Sequence, residues 1–236
     1  MQLIGLILLF VVIGIGFIER SVTTVTSFDW HALLIILLGC TSAVLLGSSK
    51  EAALKTVTYL REILPGFKRV SRESKNMDKE RSEIYSHWKS GKRGLAIAVS
   101  EKSKFKSSKE MVQLLLTRGQ SSAVEKVFTE LKHSEMEHLQ PAMNNWELLS
   151  KLGPSFGMVG TITGMIQLFK NMGSENANIG AAMSLALLAT LYGVAFGAGI
   201  AGPIGHFLSH LLDERLGVLD RCEDSTNDLV ANGDQA

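Results

Sequence analysis

The chain has 236 residues, 46% of them hydrophobic, with 24 basic and 23 acidic side chains and a net charge of +1. That balance leaves no basic surplus for nucleic acid, and two cysteines supply neither a disulfide framework nor a thiolate metal cage. The apolar residues are gathered in blocks rather than spread at the spacing of a soluble core, which argues against a soluble enzyme.

Four blocks lack Asp, Glu, Lys and Arg: residues 1–18, 30–49, 152–169 and 176–212. Each reaches or exceeds the roughly 18 apolar residues that cross a hydrocarbon layer of about 30 Å. The expected fold is therefore an all-α membrane protein with four transmembrane helices and a helical cytoplasmic insert between helices 2 and 3. A cleaved signal peptide fits the first block less well, because Met1-Gln2 carries no basic residue and no small-x-small site follows. Glu19 and Arg20 mark the end of span one, residues 21–27 form a brief periplasmic turn, and Asp29 with Trp30 opens span two at the interface.

Residues 1–50 thus carry spans one and two, 51–147 the insert, 148–212 spans three and four, and 213–236 a cytoplasmic tail. The insert holds 18 of the 24 Lys and Arg against 13 acidic residues, a surplus of +5. Basic segments stay in the cytoplasm, so both termini are expected there, with the chain in the bacterial inner membrane. Leu54, Val57, Leu60 and Leu64 form the apolar stripe of a helix that continues span two until Pro65 and Gly66 stop it. Residues 71–81 are too charged to hold a core alone. Further helices are expected at about 82–90, 94–99 and 110–117, the last ended by Arg118 and Gly119. Ser121 and Ser122 then open a helix into the 130s, with Glu125 as the acidic member of a capping box. The tail after Cys222 is polar and expected to fray.

Spans three and four carry the unusual pattern. Gly157, Gly160, Thr161 and Gly164 fall at i, i+3, i+4 and i+7 on one helical face, and Ala186, Thr190, Gly193 and Gly197 do the same on span four. Small residues at such spacing let helices approach closely in lipid. Close packing alone accounts for the glycines, whereas Thr161 and Thr190 offer hydroxyls either to an ion or to their own i−4 carbonyls. Pro154 and Pro203 each remove a backbone hydrogen bond and are read as hinges, although Pro154 also suits a first-turn position. No span holds an Asp, Glu, Lys or Arg, so an ion path through this chain needs a carboxylate from a partner. His206 and His210 stand at i, i+4, and His133 and His138 flank Glu135 and Glu137; no third ligand is apparent, so no metal or other cofactor is assigned. No phosphate loop and no nucleophile with a base is visible, so no catalytic residue is assigned.

The runs Gly153-Pro154-Ser155-Phe156-Gly157-Met158-Val159-Gly160-Thr161 and Ala186-Leu187-Leu188-Ala189-Thr190-Leu191-Tyr192-Gly193, with Pro203 beyond, resemble the MotA/TolQ/ExbB proton-channel family. The two-plus-two span order resembles its MotA branch, the flagellar stator A subunit. The resemblance implies a ring-forming homopentamer around a MotB-like single-span subunit with an intramembrane Asp, driven by H⁺ or Na⁺ and turning against the flagellar rotor protein FliG, with membrane lipids around it. It implies that Thr190 lines the ion path beside that Asp, that Thr161 neighbours it, and that Pro154 and Pro203 couple binding to movement. Arg93 and Glu101, with Lys89 and Lys92 nearby, have the spacing of the family's rotor-contact charges, while a solvated face is the competing reading. A related energiser of gliding, envelope transport or defence and a structural membrane scaffold are the alternatives.

Overall fold

The computed structural model describes residues 30–60, 69–171 and 179–233. The first apolar block, with Glu19, Arg20, Asp29 and Leu64, lies outside them. Every element among the described residues is helical: α1 (Trp30–Gly47), α2 (Lys50–Leu60), α3 (Arg69–Lys89), α4 (Arg93–Lys102), α5 (Lys106–Leu116), α6 (Ser121–Asn171), α7 (Ile179–Val194), a π-helical stretch (Ala195–Ala201) and α8 (Gly202–Gly233). They group into two compact units, one of described residues 30–60 and 141–207, the other of 69–140 and 208–233.

In the first unit, α1 buries Ala32, Ile36, Cys40 and Val44, each four residues from the last, as one helical face requires. It packs on α7, and its Gly39 leaves room for the Phe156 ring of α6, against which a Cβ would come within 2.5 Å. The chain breaks at Ser48-Ser49, and a buried polar cluster holds the break. The Ser48 hydroxyl donates to Asn145 Oδ1 (2.5 Å), Asn145 Nδ2 donates to Thr56 Oγ1 (2.8 Å), and Trp146 Nε1 donates to the Thr56 carbonyl (3.2 Å). This cluster reverses the expected orientation of α2. Thr56 is buried, while Leu54 and Val57 are 69% and 68% exposed and Leu60 is exposed too. Asn145 can be buried only if its amide is satisfied, and Thr56 satisfies it; the leucine stripe is left facing out.

The second unit has a conventional core. Phe128 and Val124 of α6, Met111 of α5, Ile84 of α3 and Val218 of α8 are all at most 2% exposed and belong to one apolar cluster. The 21-residue α3 was not expected to begin at Arg69, because residues 71–81 are so charged. It succeeds because Val70, Ser74, Met77 and Ile84 repeat at three, four and seven residues and bury a narrow stripe. Ser74 fills its slot by returning its hydroxyl to the Val70 carbonyl (3.0 Å). Gly91 ends the α3 turn at φ +74, with the Gly91 amide donating to Trp88 O and the Lys92 amide to His87 O. That pair of bonds is the glycine-terminated helix end, which a side chain at this φ would strain.

Two further expectations change. Helix α6 begins with Ser121 inside it, and the Ser121 hydroxyl donates to Asn227 Oδ1 (3.1 Å) instead of capping. The helix then runs for 51 residues, through Pro141 and Pro154, rather than ending in the 130s. The tail after Cys222 does not fray but stays helical to Gly233, with Cys222, Ser225, Thr226 and Leu229 buried. Charge pairs and a hydrogen bond fasten α8, through Arg215 and Asp220 before Cys222 and through Glu223 and Asp228 after it. Lys132 Nζ meets Asp220 (2.5 Å) and Glu223 (2.7 Å), Arg215 donates to Glu73 (2.6 Å) and Glu135 (2.9 Å), and Tyr85 donates to Asp228 (2.7 Å).

Candidate functional site

The site is a seam of small residues between the last third of α6 and the helix pair that follows it. A Cβ built on Gly193 would lie 2.5 Å from Gly153 O and 2.8 Å from Gly157 Cα, and one on Gly153 would lie 2.7 Å from Gly193 O. The two backbones therefore face each other, Cα to carbonyl, at a separation that only glycine permits. Gly160 opposes Ala189 and Gly164 opposes Ala186, with hypothetical Cβ contacts of 2.5 and 3.0 Å. Thus Gly157, Gly160, Gly164, Ala186 and Gly193 all lie in one contact surface. Contacts this close supply the dispersion and weak Cα–H···O attraction that hold helices together where lipid gives no hydrophobic drive.

Gly197 meets α6 one turn further along. A Cβ there would fall 2.5 Å from Pro154 Cδ and 2.6 Å from Ser150 O. Pro154 sits well inside α6 and is not a first-turn proline. Having no N–H, it leaves the Ser150 carbonyl without its usual i+4 donor, and that carbonyl points at Gly197. Pro203, which is exposed, follows directly on the seven-residue π-helical stretch Ala195–Ala201. The Gly202 amide donates to Gly197 O, five residues back. A widened turn accommodates a proline that cannot make the ordinary i−4 bond, and π-turns of this kind recur at functional sites. Nothing in the spacing of the residues distinguishes such a turn from an ordinary kink; the proline was its single trace in the sequence.

Thr161 and Thr190 meet across the seam, their hydroxyl oxygens 2.5 Å apart. Thr161 Oγ1 also lies 3.1 Å from both Gly157 O and Ala186 O, and Thr190 Oγ1 lies 3.5 Å from Ala186 O. Each hydroxyl has one proton to donate, so two protons are shared among four oxygens. Such a cluster has acceptor capacity left over for an added proton or a small cation. It is not sealed: Thr190 is exposed at the edge of the seam, and Leu187, Leu191 and Val194 beside it are exposed apolar residues.

The residues considered for rotor contact lie in the second unit. Lys89 ends α3, Lys92 and Arg93 begin the next helix and Glu101 lies near its end, all four exposed. The Arg93 guanidinium lies 5.5 Å from the centre of the Trp88 ring, over its face, and Lys89 Nζ donates to the Tyr85 hydroxyl (3.4 Å).

Residues 100–220 match the MotA/TolQ/ExbB proton channel family. A Motility protein A of Aquifex aeolicus (strain VF5) is 40% identical over 68 residues, 29% of this chain and 26% of that protein. A Motility protein A of Bacillus subtilis (strain 168) is 26% identical over 215 residues, 88% of this chain and 76% of that one. The matched stretch thus spans only about a quarter of the Aquifex protein's length. Among solved structures, the C. jejuni MotAB structure superposes with a TM-score of 0.80 at 14% identity, covering 98% of this chain and 89% of its counterpart. The flagellar MotAB stator complex of Bacillus subtilis gives 0.78 at 21% identity, covering 97% and 88%. At these identities the structural likeness speaks to the fold.

Proposed function

From the premise that the chain belongs to the MotA/TolQ/ExbB proton channel family, we propose that it is the A subunit of an ion-driven rotary stator. In this reading residues 1–18, 30–49, 152–169 and 176–212 cross the bacterial inner membrane, the remainder is cytoplasmic apart from short outer turns, and several copies form a ring. The ring encloses a single-span subunit of MotB type, and ion flow between the two turns the ring against the flagellar rotor.

The observation that carries the proposal is the Thr161–Thr190 cluster. It places four oxygens and two protons at the open edge of a glycine seam, in helices without a single Asp, Glu, Lys or Arg between residues 152 and 169 or 179 and 212. Hydroxyls and carbonyls can hand on a proton or coordinate a sodium ion, yet they do not titrate near neutral pH. The titrating carboxylate must then sit on the covering subunit, and the path exists only where the two meet. The known stator complexes named above contain a second subunit, which supports the same division of labour. Pro154 and Pro203 both lie toward the Gly153–Gly197 end of the seam, and in this reading they act as hinges that let it change shape when that carboxylate is protonated.

Thr190→Val tests this reading. Valine keeps the shape of threonine and removes only the hydroxyl, so assembly with the single-span partner persists while ion flux and motility are lost. Normal flux in a variant that assembles would sink the assigned path.

A further inference from the structure

A cavity of about 320 Å³ opens in the second unit, between the N-terminus of α5 and the charged face of α8. Its polar lining is unbalanced. Lys104 and Lys106 stand at it, exposed and without an ion pair among the described residues. Ser107, only 3% exposed, lines it too, and its hydroxyl has no hydrogen-bond partner among the described residues. Arg215, whose side chain is 12% exposed, spends both terminal nitrogens on Glu73 and Glu135, which leaves its buried Nε–H without a partner among the described residues. These four groups are all donors. The carboxylates in the lining are the two that Arg215 already holds, and the nearby Glu80 serves the hydroxyls of Ser103 and Ser108. Helix α5 adds to the excess, because Phe105 precedes it with no side-chain cap for its first amides.

A buried donor without an acceptor is costly and calls for an explanation. Two such groups, two unpaired lysines and an uncapped helix N-terminus around one cavity share a single remedy, an acceptor-rich anion. We propose that this cavity binds a phosphate-class oxyanion. The charge of the lining is three cations against two carboxylates, which favours an anion over a cation. The remaining wall is mostly apolar, with Met77, Phe105, Leu131 and Leu219 beside Ser134, and suits the body of an organic phosphate better than a second charge. Such a ligand touches α3, α5, α6 and α8 together and stiffens the unit at the point where Arg215 already joins three of them.

The test uses the full chain in a phosphate-free maltoside detergent, with inorganic phosphate and phenyl phosphate as probes and sodium chloride of equal ionic strength as control. Binding is read by ³¹P line broadening and by the unfolding temperature. The proposal expects saturable protection by phenyl phosphate, weakened about tenfold or more in Lys104→Ala/Lys106→Ala through loss of charge-assisted hydrogen bonds. Ser107→Ala, which removes a hydroxyl that no described residue bonds, folds as stably as the parent without ligand and binds more weakly. Protection by inorganic phosphate as well assigns the site to the phosphate group itself; protection by phenyl phosphate alone assigns it to an organic phosphate seated on Phe105. No protection beyond the chloride control at about 10 mM of either probe overturns the proposal. So does undiminished binding in both variants.

Discussion

Gly193→Ala is the sharpest perturbation of the glycine seam. The added Cβ would stand 2.5 Å from Gly153 O and 2.8 Å from Gly157 Cα, where ordinary contact begins at 3.4 Å. The shortfall is 0.9 Å at the oxygen, and both obstacles are backbone atoms that no rotamer change can move aside. The helices must separate by most of that distance. Overpacking of this kind costs about 1–3 kcal/mol, and a gap of 0.5–1 Å along the rest of the seam forfeits roughly a quarter to a half of each contact's attraction. The Thr161 and Thr190 hydroxyls, now 2.5 Å apart, move toward about 3.4 Å, beyond the range of an O–H···O bond. Ion flux with the single-span partner is therefore expected to collapse, and the unfolding temperature of the purified complex to fall. Gly94→Ala, at a helical glycine with nothing within 4 Å, is the control and leaves both unchanged. A Gly193→Ala complex that melts and conducts like the parent would refute the claim that close approach of these backbones sets the geometry of the threonine pair.

Asp78 is pushed up by partial burial but more strongly down by hydrogen bonds from Arg81 and Arg221, so its carboxyl titrates below the ordinary 3.8. A depressed carboxylate contributes stability that is complete above the unfolded-state value and is lost as pH falls through the lower folded one. The difference in unfolding temperature between the parent and Asp78→Asn should therefore hold steady above about pH 5 and shrink below about pH 4. Burial pushes the Cys222 thiol up to about 12, so the reactive thiolate is a trace species at neutral pH. Maleimide at pH 7.5 should spare Cys222 in the folded chain and label it after denaturation, with mass spectrometry of the two cysteine peptides as readout. Because the unfolded thiol ionises near 9, raising the pH above that value should also favour unfolding.

The residues that could be placed from sequence are those whose role depends on backbone spacing alone. Gly157, Gly160, Thr161 and Gly164 share a face on any α-helix, and small residues in a membrane helix have few uses other than close approach, so the two faces could be written down before their partners were known. What could not be read depends on partners distant in sequence. The helix over Arg69–Lys89 looks too polar because its buried stripe is one residue wide and includes Ser74, whose hydroxyl is satisfied by Val70. The tail after Cys222 looks like a frayed end until Lys132 and Tyr85 reach Glu223 and Asp228 from 91 and 143 residues away in the chain.

Helix α2 marks the boundary between the two kinds of knowledge. Its leucine stripe predicts an inward apolar face, yet Asn145 draws Thr56 inward and turns Leu54 and Val57 out. The sequence by itself determined which helical faces are small and which blocks are free of Asp, Glu, Lys and Arg, because these follow from local spacing and from composition alone. Only the tertiary structure decided which face of α2 is buried, that a π-turn precedes Pro203, and that two threonines 29 residues apart share a proton pair. Each of these depends on satisfying a polar group with a distant partner, and hydrophobic periodicity carries no information about where that partner will be.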